Sequence, residues 1–178
     1  VLTSLPLPQG KGSFGLYCAA MDHQERVRIF IDGSNFYRRL RESGLTKGKR
    51  FNYGVLVEFV LRSRLLESKR YYVGIVRNHD NTERSQKMVE SQQKFLGNLE
   101  AEGFIIKRGR IVYDHKIQEK GVDVEIATDL LIGAVENLYD TAVIVSSDTD
   151  LIPAIKYVRN NKGKKIEYVG FSIKPSLG

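Results

Sequence analysis

The chain has 178 residues, of which 42% are hydrophobic, and this size fits one compact domain better than two. Its formal net charge is +7, from 28 Lys and Arg against 21 Asp and Glu, and a basic chain of this kind favours polyanions such as nucleic acid. The single cysteine, Cys18, excludes an internal disulfide and a Cys-rich zinc site and favours a cytoplasmic location, and no apolar run is long enough to span a membrane.

The first 25 residues carry two prolines and three glycines and show neither strand alternation nor a helical stripe. They also lack the basic start and long apolar middle of a secretory signal. We therefore expect a disordered leader or an added upstream extension over residues 1–25, one domain over 26–172 and a short tail over 173–178.

The domain begins with an apolar strand, Val27–Ile31, which ends in the turn-forming residues Asp-Gly-Ser-Asn at 32–35. A helical stretch follows, in which five apolar residues keep roughly helical spacing: Leu56, Phe59, Val60, Leu65 and Leu66. The next predicted strand is Tyr71–Val76. The order is thus strand, crossover, strand.

Three further pairs of a helix and a strand follow: Glu83–Glu102 with Phe104–Lys107, Val122–Leu138 with Thr141–Ser146, and Leu151–Asn160 with Lys165–Gly170. The irregular stretch Arg110–Lys120 is predicted to be a hairpin or a flexible loop. Strands that are apolar on both faces and alternate with helices predict a mainly parallel sheet covered by helices on both sides. The fold class is α/β.

Carboxylates stand where the predicted strands end. Asp32 ends the first strand, and Asp148 and Asp150 follow the fourth. In open parallel sheets the ligand site lies outside the carboxyl ends of the strands, because loops and helix N-termini converge there. Asp123 heads the helix Val122–Leu138 and, at about 100° per residue, lies in line with the stripe that should face the sheet. We expect these four aspartates to meet in one small volume.

Carboxylates at such short range repel one another, and a raised pKa or a bound cation relieves the repulsion. Carboxylate and water oxygens suit Mg²⁺ or Mn²⁺ rather than Zn²⁺. Such a cation can activate a water and neutralise charge on a phosphate. The sequence leaves open whether the site holds one ion or two.

Each aspartate alone also has a structural interpretation. Asp32 is a turn former before Gly-Ser-Asn, and Asp148 or Asp150 is the N-cap of the following helix. Asp123 is a favourable charge on its helix dipole. The remaining acids of this region share the opposite side of the helix and are predicted mainly to face solvent: Glu125, Asp129, which flanks the buried stripe as a candidate supporting residue, Glu136 and Asp140.

Three separated motifs, FIDGSNF from Phe30, KGVDVEIATDLL from Lys120 and SSDTDLIPAI from Ser146, resemble the NYN family, in particular its LabA-like branch in the PIN-like nuclease superfamily. The resemblance covers residues 27 to about 170. It implies a PIN-like, three-layer α/β/α sandwich with a central, mainly parallel sheet, and a metal-dependent ribonuclease activity. The family's acidic residues match Asp32, Asp123, Asp148 and Asp150.

Two further positions of these motifs concern the substrate. Asn35 matches the family's asparagine near the first acid, which orients that carboxylate or a phosphate-bound water. Ser147 stands where a glycine commonly precedes the first aspartate of the last motif. Its Cβ disfavours a positive φ, if the family glycine needs one, whereas its hydroxyl is a candidate ligand for metal or phosphate.

Basic residues should surround the acidic pocket if RNA is the partner, and their phosphate contacts would weaken with salt. The candidates are Arg38, Arg39, Arg41, Lys47, Lys49, Arg50, Lys116 and Lys120. Among these and the motif residues, we predict that the substrate contacts Ser34, Asn35, Arg38, Lys120 and Ser147. Tyr37, Tyr113 and His115 are candidate stacking partners for unpaired bases. His79 and His115 are expected at the surface or in hydrogen bonds rather than as general bases.

The leading hypothesis is a ribonuclease that uses Mg²⁺ or Mn²⁺ and cleaves single-stranded or loosely structured RNA endonucleolytically. Asp32, Asp123 and Asp148 are the predicted direct ligands, and Asp150 is either a further ligand or a supporting residue. The alternative is a non-catalytic RNA-binding or regulatory module that retains the acidic pocket. An aspartate-phosphorylating phosphatase of the haloacid dehalogenase type fits less well, because its D-x-D pair follows the first strand. A homo-oligomer or a protein partner is left open, and no membrane association is expected.

Overall fold

The computed structural model describes residues 24–44, 51–113 and 117–170. Nearly all of the expected leader and the whole expected tail lie outside these residues. The elements follow one another as β1 Arg26–Asp32, α1 Gly33–Glu42, α2 Tyr53–Leu61, β2 Leu65–Ile75, α3 Glu83–Ala101, β3 Ile105–Tyr113, β4 Ile117–Lys120, α4 Val122–Val135, β5 Thr141–Val145, α5 Ile152–Lys162 and β6 Lys165–Val169. No helix in the described ranges is both long enough and apolar enough to cross a bilayer.

The six strands form one sheet in the order β4-β3-β2-β1-β5-β6. Every neighbouring pair is parallel except β3 with β4. From β1 the chain moves outward through β2 and β3 and then crosses back to β5 on the other side of β1. The strand order therefore reverses between β1 and β5, and a crevice opens at their carboxyl ends.

Helices cover both faces of the sheet, which confirms the predicted α/β/α sandwich. Strand β1 shows the reason, because its side chains alternate between the two faces. Val27, Ile29 and Ile31 pack with residues of α1, α2 and α3. Phe30, between them, packs with Ile126, Leu130 and Val158 of α4 and α5. A strand buried on both sides accordingly reads as a continuous apolar run.

The turn-forming residues 32–35 predict no helix, but helix α1 starts within them. The helix begins directly at Gly33, and the Asp32 side chain caps it by accepting a hydrogen bond from the backbone N–H of Asn35. Phe36 and Leu40 are both buried, and their spacing of four residues is the sequence signal that predicts this helix.

The assignment of Leu65 and Leu66 to the preceding helix was wrong, since both residues belong to β2. Helix α2 ends at Leu61, where Arg62 adopts a positive φ of 56°. The guanidinium of Arg64 donates to the carbonyl oxygens of Val60 at 2.6 Å and Leu61 at 3.1 Å. These bonds satisfy carbonyl groups at the end of the helix, and β2 begins at the next residue, Leu65.

The irregular stretch after β3 proved to be the hairpin alternative. Strand β3 extends to Tyr113, well beyond the predicted strand, and β4 pairs with it antiparallel, with Arg110 opposite Lys120 and Tyr113 opposite Ile117. The paired strands form a ribbon that projects past the carboxyl end of β2, because β2 pairs with β3 only as far as Arg110.

Asp129 and Asp140 were predicted to face solvent, but both lie in contact with other parts of the fold. The Asp129 side chain is 15% exposed and lies 2.7 Å from Arg70 Nη1 and 3.1 Å from Lys107 Nζ. Burial acts to raise the pKa of Asp129, but hydrogen bonds from Tyr72, Arg70 and Lys107 outweigh burial and lower it. Asp140 accepts bonds from the backbone and side chain of Arg26. Both aspartates therefore join elements of the fold.

Gly33, the first residue of α1, lies directly against Tyr71 of β2. A Cβ atom added at Gly33 would lie 2.4 Å from the Tyr71 ring. We expect Gly33→Ala to lower the free energy of unfolding by about 1–3 kcal/mol, because the helix or the ring must shift. Urea denaturation followed by circular dichroism measures the change.

Gly97→Ala is the matched control, because Gly97 is an exposed residue inside α3 and a Cβ there meets nothing within 4 Å. It should raise the free energy of unfolding by up to about 1 kcal/mol through helix propensity. Equal effects of the two substitutions would contradict the close approach of α1 to β2.

Candidate functional site

An open cleft of about 290 Å³ lies at the carboxyl ends of β1 and β5, where the strand order reverses. It is lined by Asp32, Ser34, Asn35, Arg38, Glu119, Val122, Asp123 and Asp148. Residues far apart in sequence meet here because parallel strands bring their carboxyl ends to one edge of the sheet.

Asp32 forms the floor of the cleft. It is the last residue of β1 and is 4% exposed. Its Oδ1 atom accepts a hydrogen bond of 3.1 Å from the backbone N–H of Asn35. Its Oδ2 atom accepts one of 2.9 Å from the hydroxyl of Ser146, just after β5. The carboxylate is thus held by α1 and by the residue after β5, and Asp32 both caps α1 and lines the cleft.

The loop after β5 positions Asp148. Its backbone N–H donates to Ser146 Oγ at 3.0 Å, and its own Oδ1 accepts from the N–H of Asp150 at 2.9 Å. The N-cap of α5 is Leu151, which makes no side-chain cap bond, so neither aspartate caps that helix. Asp148 is half-buried and lines the cleft, whereas Asp150 is exposed and does not line it.

Asp123 enters the cleft from the first turn of α4. The N-cap of this helix, Gly121, makes no side-chain bond, so an acid in the first turn also interacts favourably with the helix dipole. One carboxylate oxygen each of Asp32, Asp123 and Asp148 lie within 4.8 Å of one another. Three of the four predicted aspartates therefore form one cluster.

Three carboxylates at this range concentrate negative charge in the cleft. Within the described ranges, no lysine or arginine forms an ion pair with the three aspartates. Burial raises the pKa of Asp32 to about 6, against the hydrogen bonds from Asn35 and Ser146, and the charges of Asp123 and Glu119 add to the rise. Burial and the neighbouring charge of Asp148 raise the pKa of Asp123 as well.

Glu119 is a cleft residue that the sequence analysis missed. It lies on β4, and its Oε1 atom accepts hydrogen bonds from the Ser34 hydroxyl at 2.9 Å and from the backbone N–H of Gly74. A Cβ atom at Gly74 would lie 2.6 Å from this oxygen, so the absence of a side chain there makes room for the carboxylate. Glu119 reaches the cleft because β4 pairs antiparallel with β3. The only sequence signal for it is an acidic residue four positions before Asp123.

The predicted substrate residues are distributed unevenly. Ser34, Asn35 and Arg38 line the cleft. Asn35 Oδ1 accepts from the backbone N–H of Ser147 at 3.0 Å, which ties α1 to the loop after β5. Ser147 does not have a positive φ, so its Cβ causes no strain. Lys120 follows Glu119 on β4 and points to the opposite face, because neighbours in a strand alternate, and it does not line the cleft.

The other predicted basic and aromatic residues have separate contacts or lie outside the described residues. Arg39 pairs with Glu42 at 3.0 Å, and Arg41 lies over the exposed ring of Tyr37 at 5.9 Å. Asp129, the candidate supporting residue, contacts Tyr72, Arg70 and Lys107, none of which lines the cleft. Those outside the described ranges are Lys47, Lys49, Arg50, His115 and Lys116.

The ligand set fits a hard divalent cation. All three donors are carboxylates, and a cation beside them would favour the charged forms of Asp32 and Asp123, whose pKa values are raised in its absence. Oxygen-only ligands suit Mg²⁺ or Mn²⁺ better than Zn²⁺, which prefers nitrogen and sulfur.

The α/β/α sandwich with an acidic cleft at its strand-order reversal is the architecture expected of a nuclease-like domain. The NYN domain model matches residues 26–177, and the chain belongs to the NYN domain family. This membership implies a nuclease-like fold and an interaction with nucleic acid. It agrees with the family resemblance of the three sequence motifs.

Among solved structures, the chain is similar to a protein of unknown function from Vibrio parahaemolyticus, with 23% identity, a TM-score of 0.63, and coverage of 84% of this chain and 83% of that one. Two more distant similarities, each with a TM-score of 0.36, are to ferredoxin-NADP+ reductase from Plasmodium falciparum (11% identity, 83% of this chain and 53% of that one) and to pantoate-beta-alanine ligase from Francisella tularensis (9% identity, 91% and 65%). No curated protein matches the chain.

Asp32 should make the stability of the metal-free protein depend on pH. Its pKa is about 6 in the folded protein against an ordinary value of 3.8, so the folded state binds the proton more tightly. The contribution is therefore complete below the ordinary value and is lost as the pH rises through about 6. The difference corresponds to about 3 kcal/mol.

Asp32→Asn is the reference for this measurement, since asparagine also caps helices and does not titrate. Urea denaturation of both proteins in chelator, from about pH 4 to about pH 7, should show the wild-type protein losing stability relative to the variant. Parallel profiles for the two proteins would show that Asp32 titrates normally.

Proposed function

We propose that the protein is a ribonuclease dependent on Mg²⁺ or Mn²⁺ that cleaves single-stranded or loosely structured RNA endonucleolytically. The observation that supports this most directly is the cluster of Asp32, Asp123 and Asp148, with ligand atoms within 4.8 Å of one another and no basic partner in the described part of the chain. The proposal includes membership of the LabA-like branch and a cytoplasmic location.

The three aspartates would hold the cation at the floor of the cleft. A divalent ion there supplies charge neutralisation at the scissile phosphate and lowers the pKa of a water. Asp32 is fixed by two hydrogen bonds and needs no rearrangement to bind. Asp150 supports the site from outside, because its N–H fixes the Asp148 carboxylate and its charge helps to raise the pKa of Asp123.

The remaining cleft residues would contact the RNA backbone. Arg38 is the basic residue of the cleft lining and would bind a phosphate next to the acidic cluster. Asn35 uses its Oδ1 atom on Ser147, which leaves its amide nitrogen as the donor for a phosphate oxygen. The Ser34 hydroxyl donates to Glu119 and would have to leave that bond to donate to a phosphate. Ser147 is bound to Asn35 through its backbone N–H, and its hydroxyl would contact the RNA from outside the cleft lining. Lys120 contributes long-range attraction only.

Asp148→Asn tests the activity. The variant retains an oxygen that can accept the Asp150 N–H but loses the charge, so we expect metal-dependent cleavage of labelled RNA to fall by more than about a hundredfold with the fold unchanged. Gel analysis of cleavage with Mn²⁺, with Mg²⁺ and with chelator measures the loss.

Glu136→Gln is the matched control, because it makes the same chemical change at the exposed C-terminal end of α4, away from the cleft. It should cleave like the wild-type protein. Full activity of purified Asp148→Asn would contradict the proposed site, and RNA binding without cleavage under every condition would favour a non-catalytic role.

Metal binding can be tested without any substrate. We expect Mn²⁺ at about one hundred times its Kd to stabilise the folded protein by about 2.7 kcal/mol, because the cluster exists only in the folded state. Thermal unfolding monitored with and without Mn²⁺ should show this for the wild-type protein and for Glu136→Gln. In Asp123→Asn the shift should disappear, and an undiminished shift there would place the ion elsewhere.

A further inference from the structure

The rings of His79 and Tyr113 form a stacked pair outside the acidic cluster. Their centroids are 4.1 Å apart and the rings are 13° from parallel. His79 follows the carboxyl end of β2, and Tyr113 is the last residue of β3. Since β2 and β3 are parallel, the pair lies at the same edge of the sheet as the cleft. The His79 side chain remains 40% exposed, so the pair keeps ring surface open to solvent.

The pair is held in place by hydrogen bonds rather than by burial. The Tyr113 hydroxyl accepts a bond of 2.8 Å from the backbone N–H of Arg77. After His79, Asp80 accepts from the N–H of Thr82 at 3.1 Å, and Thr82 caps α3. The loop that carries the histidine is therefore anchored on both sides. A flat aromatic surface fixed in advance loses little conformational entropy when a partner binds.

The ribbon of β3 and β4 connects this pair to the cleft. Tyr113, Ile111 and Glu119 lie on one face of the ribbon, because Ile111 is opposite Glu119 and side chains alternate along each strand. Glu119 lines the cleft, and its carboxylate binds Ser34 and the Gly74 N–H. The ring pair and the acidic cluster thus share one continuous side of the molecule.

The strand register gives the separation of the ring pair from Asp32 along the strand direction. Asp32 is level with Tyr72 of β2, and Tyr72 is level with Lys107 of β3. Tyr113 lies six residues beyond Lys107, which is about 20 Å along the strand at ~3.3 Å per residue. An extended single strand of RNA covers such a distance with a few nucleotides.

We propose that the His79 and Tyr113 ring pair is a stacking platform for an unpaired base of the RNA strand whose phosphate lies in the acidic cleft. This inference rests on the proposed function and adds a substrate subsite to it. Bases of every type have a flat face, so the platform selects for unpaired bases and tolerates any sequence. Arg77, exposed beside the platform, would bind the phosphate of the stacked nucleotide.

The test measures binding in chelator, so that cleavage plays no part. A fluorescently labelled oligouridine is compared with a set of oligomers that each lack one base, using fluorescence anisotropy. For the wild-type protein, loss of the stacked base should raise the Kd by about tenfold at one position of the oligomer. His79→Ala should raise the Kd of the intact oligomer by about tenfold, and the sensitive position should then have no further effect.

Two variants control the interpretation. Tyr113→Phe keeps the ring but loses the hydroxyl that accepts from the Arg77 N–H, so the position-dependent effect should be smaller than in the wild-type protein and larger than in His79→Ala. Tyr157→Ala removes an exposed aromatic residue on α5, away from the ribbon, and should bind like the wild-type protein.

The platform is overturned if His79→Ala binds intact oligouridine as tightly as the wild-type protein, if the effect of a missing base is unchanged in His79→Ala, or if the wild-type protein does not bind the oligomer. These failures leave the nuclease proposal to its own cleavage assay. Conversely, if the protein shows the position-dependent effect but does not cleave RNA with Mn²⁺, the platform proposal stands and the ribonuclease proposal is contradicted.

Discussion

The arrangement of the site depends on the buried carboxylate of Asp32 and the two hydrogen bonds that hold it. One bond comes from the start of α1, through the N–H of Asn35, and the other from the end of β5, through the Ser146 hydroxyl. The same residue ends a central strand, begins a helix and forms the floor of the cleft. A buried carboxylate without a cationic partner destabilises the folded protein when it is ionised, and the raised pKa of Asp32 reflects this free-energy cost. A cation in the cleft would remove it.

Asp129 and Asp32 are acidic residues in different settings: Asp129 forms ion pairs within the fold, and Asp32 lies in the acidic cluster. Both are partly or fully buried, and both receive hydrogen bonds. Asp129 has Arg70 and Lys107 beside it, and its pKa lies below the ordinary value. Among the described residues, the neighbours that shift the pKa of Asp32 are neutral hydrogen-bond donors and other acids, and this pKa lies above the ordinary value. The lack of a cationic partner among the described residues, rather than burial alone, makes Asp32 the candidate ligand.

The sequence predicted the features that follow from local pattern and missed those that follow from long-range pairing. Apolar runs that alternate with helices indicate a covered parallel sheet, and such a sheet brings Asp32 and Asp148 together by its geometry alone. Glu119 could not be placed in this way, because its position depends on the register of β4 against β3. Helix α1 was missed because Gly-Ser-Asn favours turns, although Asp32 uses those residues as the first turn of a helix. Asp129 was wrongly predicted to face solvent, because its partners Arg70 and Lys107 lie on β2 and β3, far from α4 in sequence.

The hydrogen bond between Ser146 and Asp32 also makes the acidic cluster depend on the correct register of β1 and β5. Ile31 is level with Val145, so the bonded residues are the next ones along two paired parallel strands. A slip of β5 by one residue would turn Ser146 to the other face of the sheet and bring an apolar valine or a differently placed serine against the carboxylate. Asp148, whose N–H binds the same hydroxyl, would move with it. The complete acidic cluster therefore exists in one alignment of the central strands, and a bound cation would favour that alignment over misregistered forms of the chain.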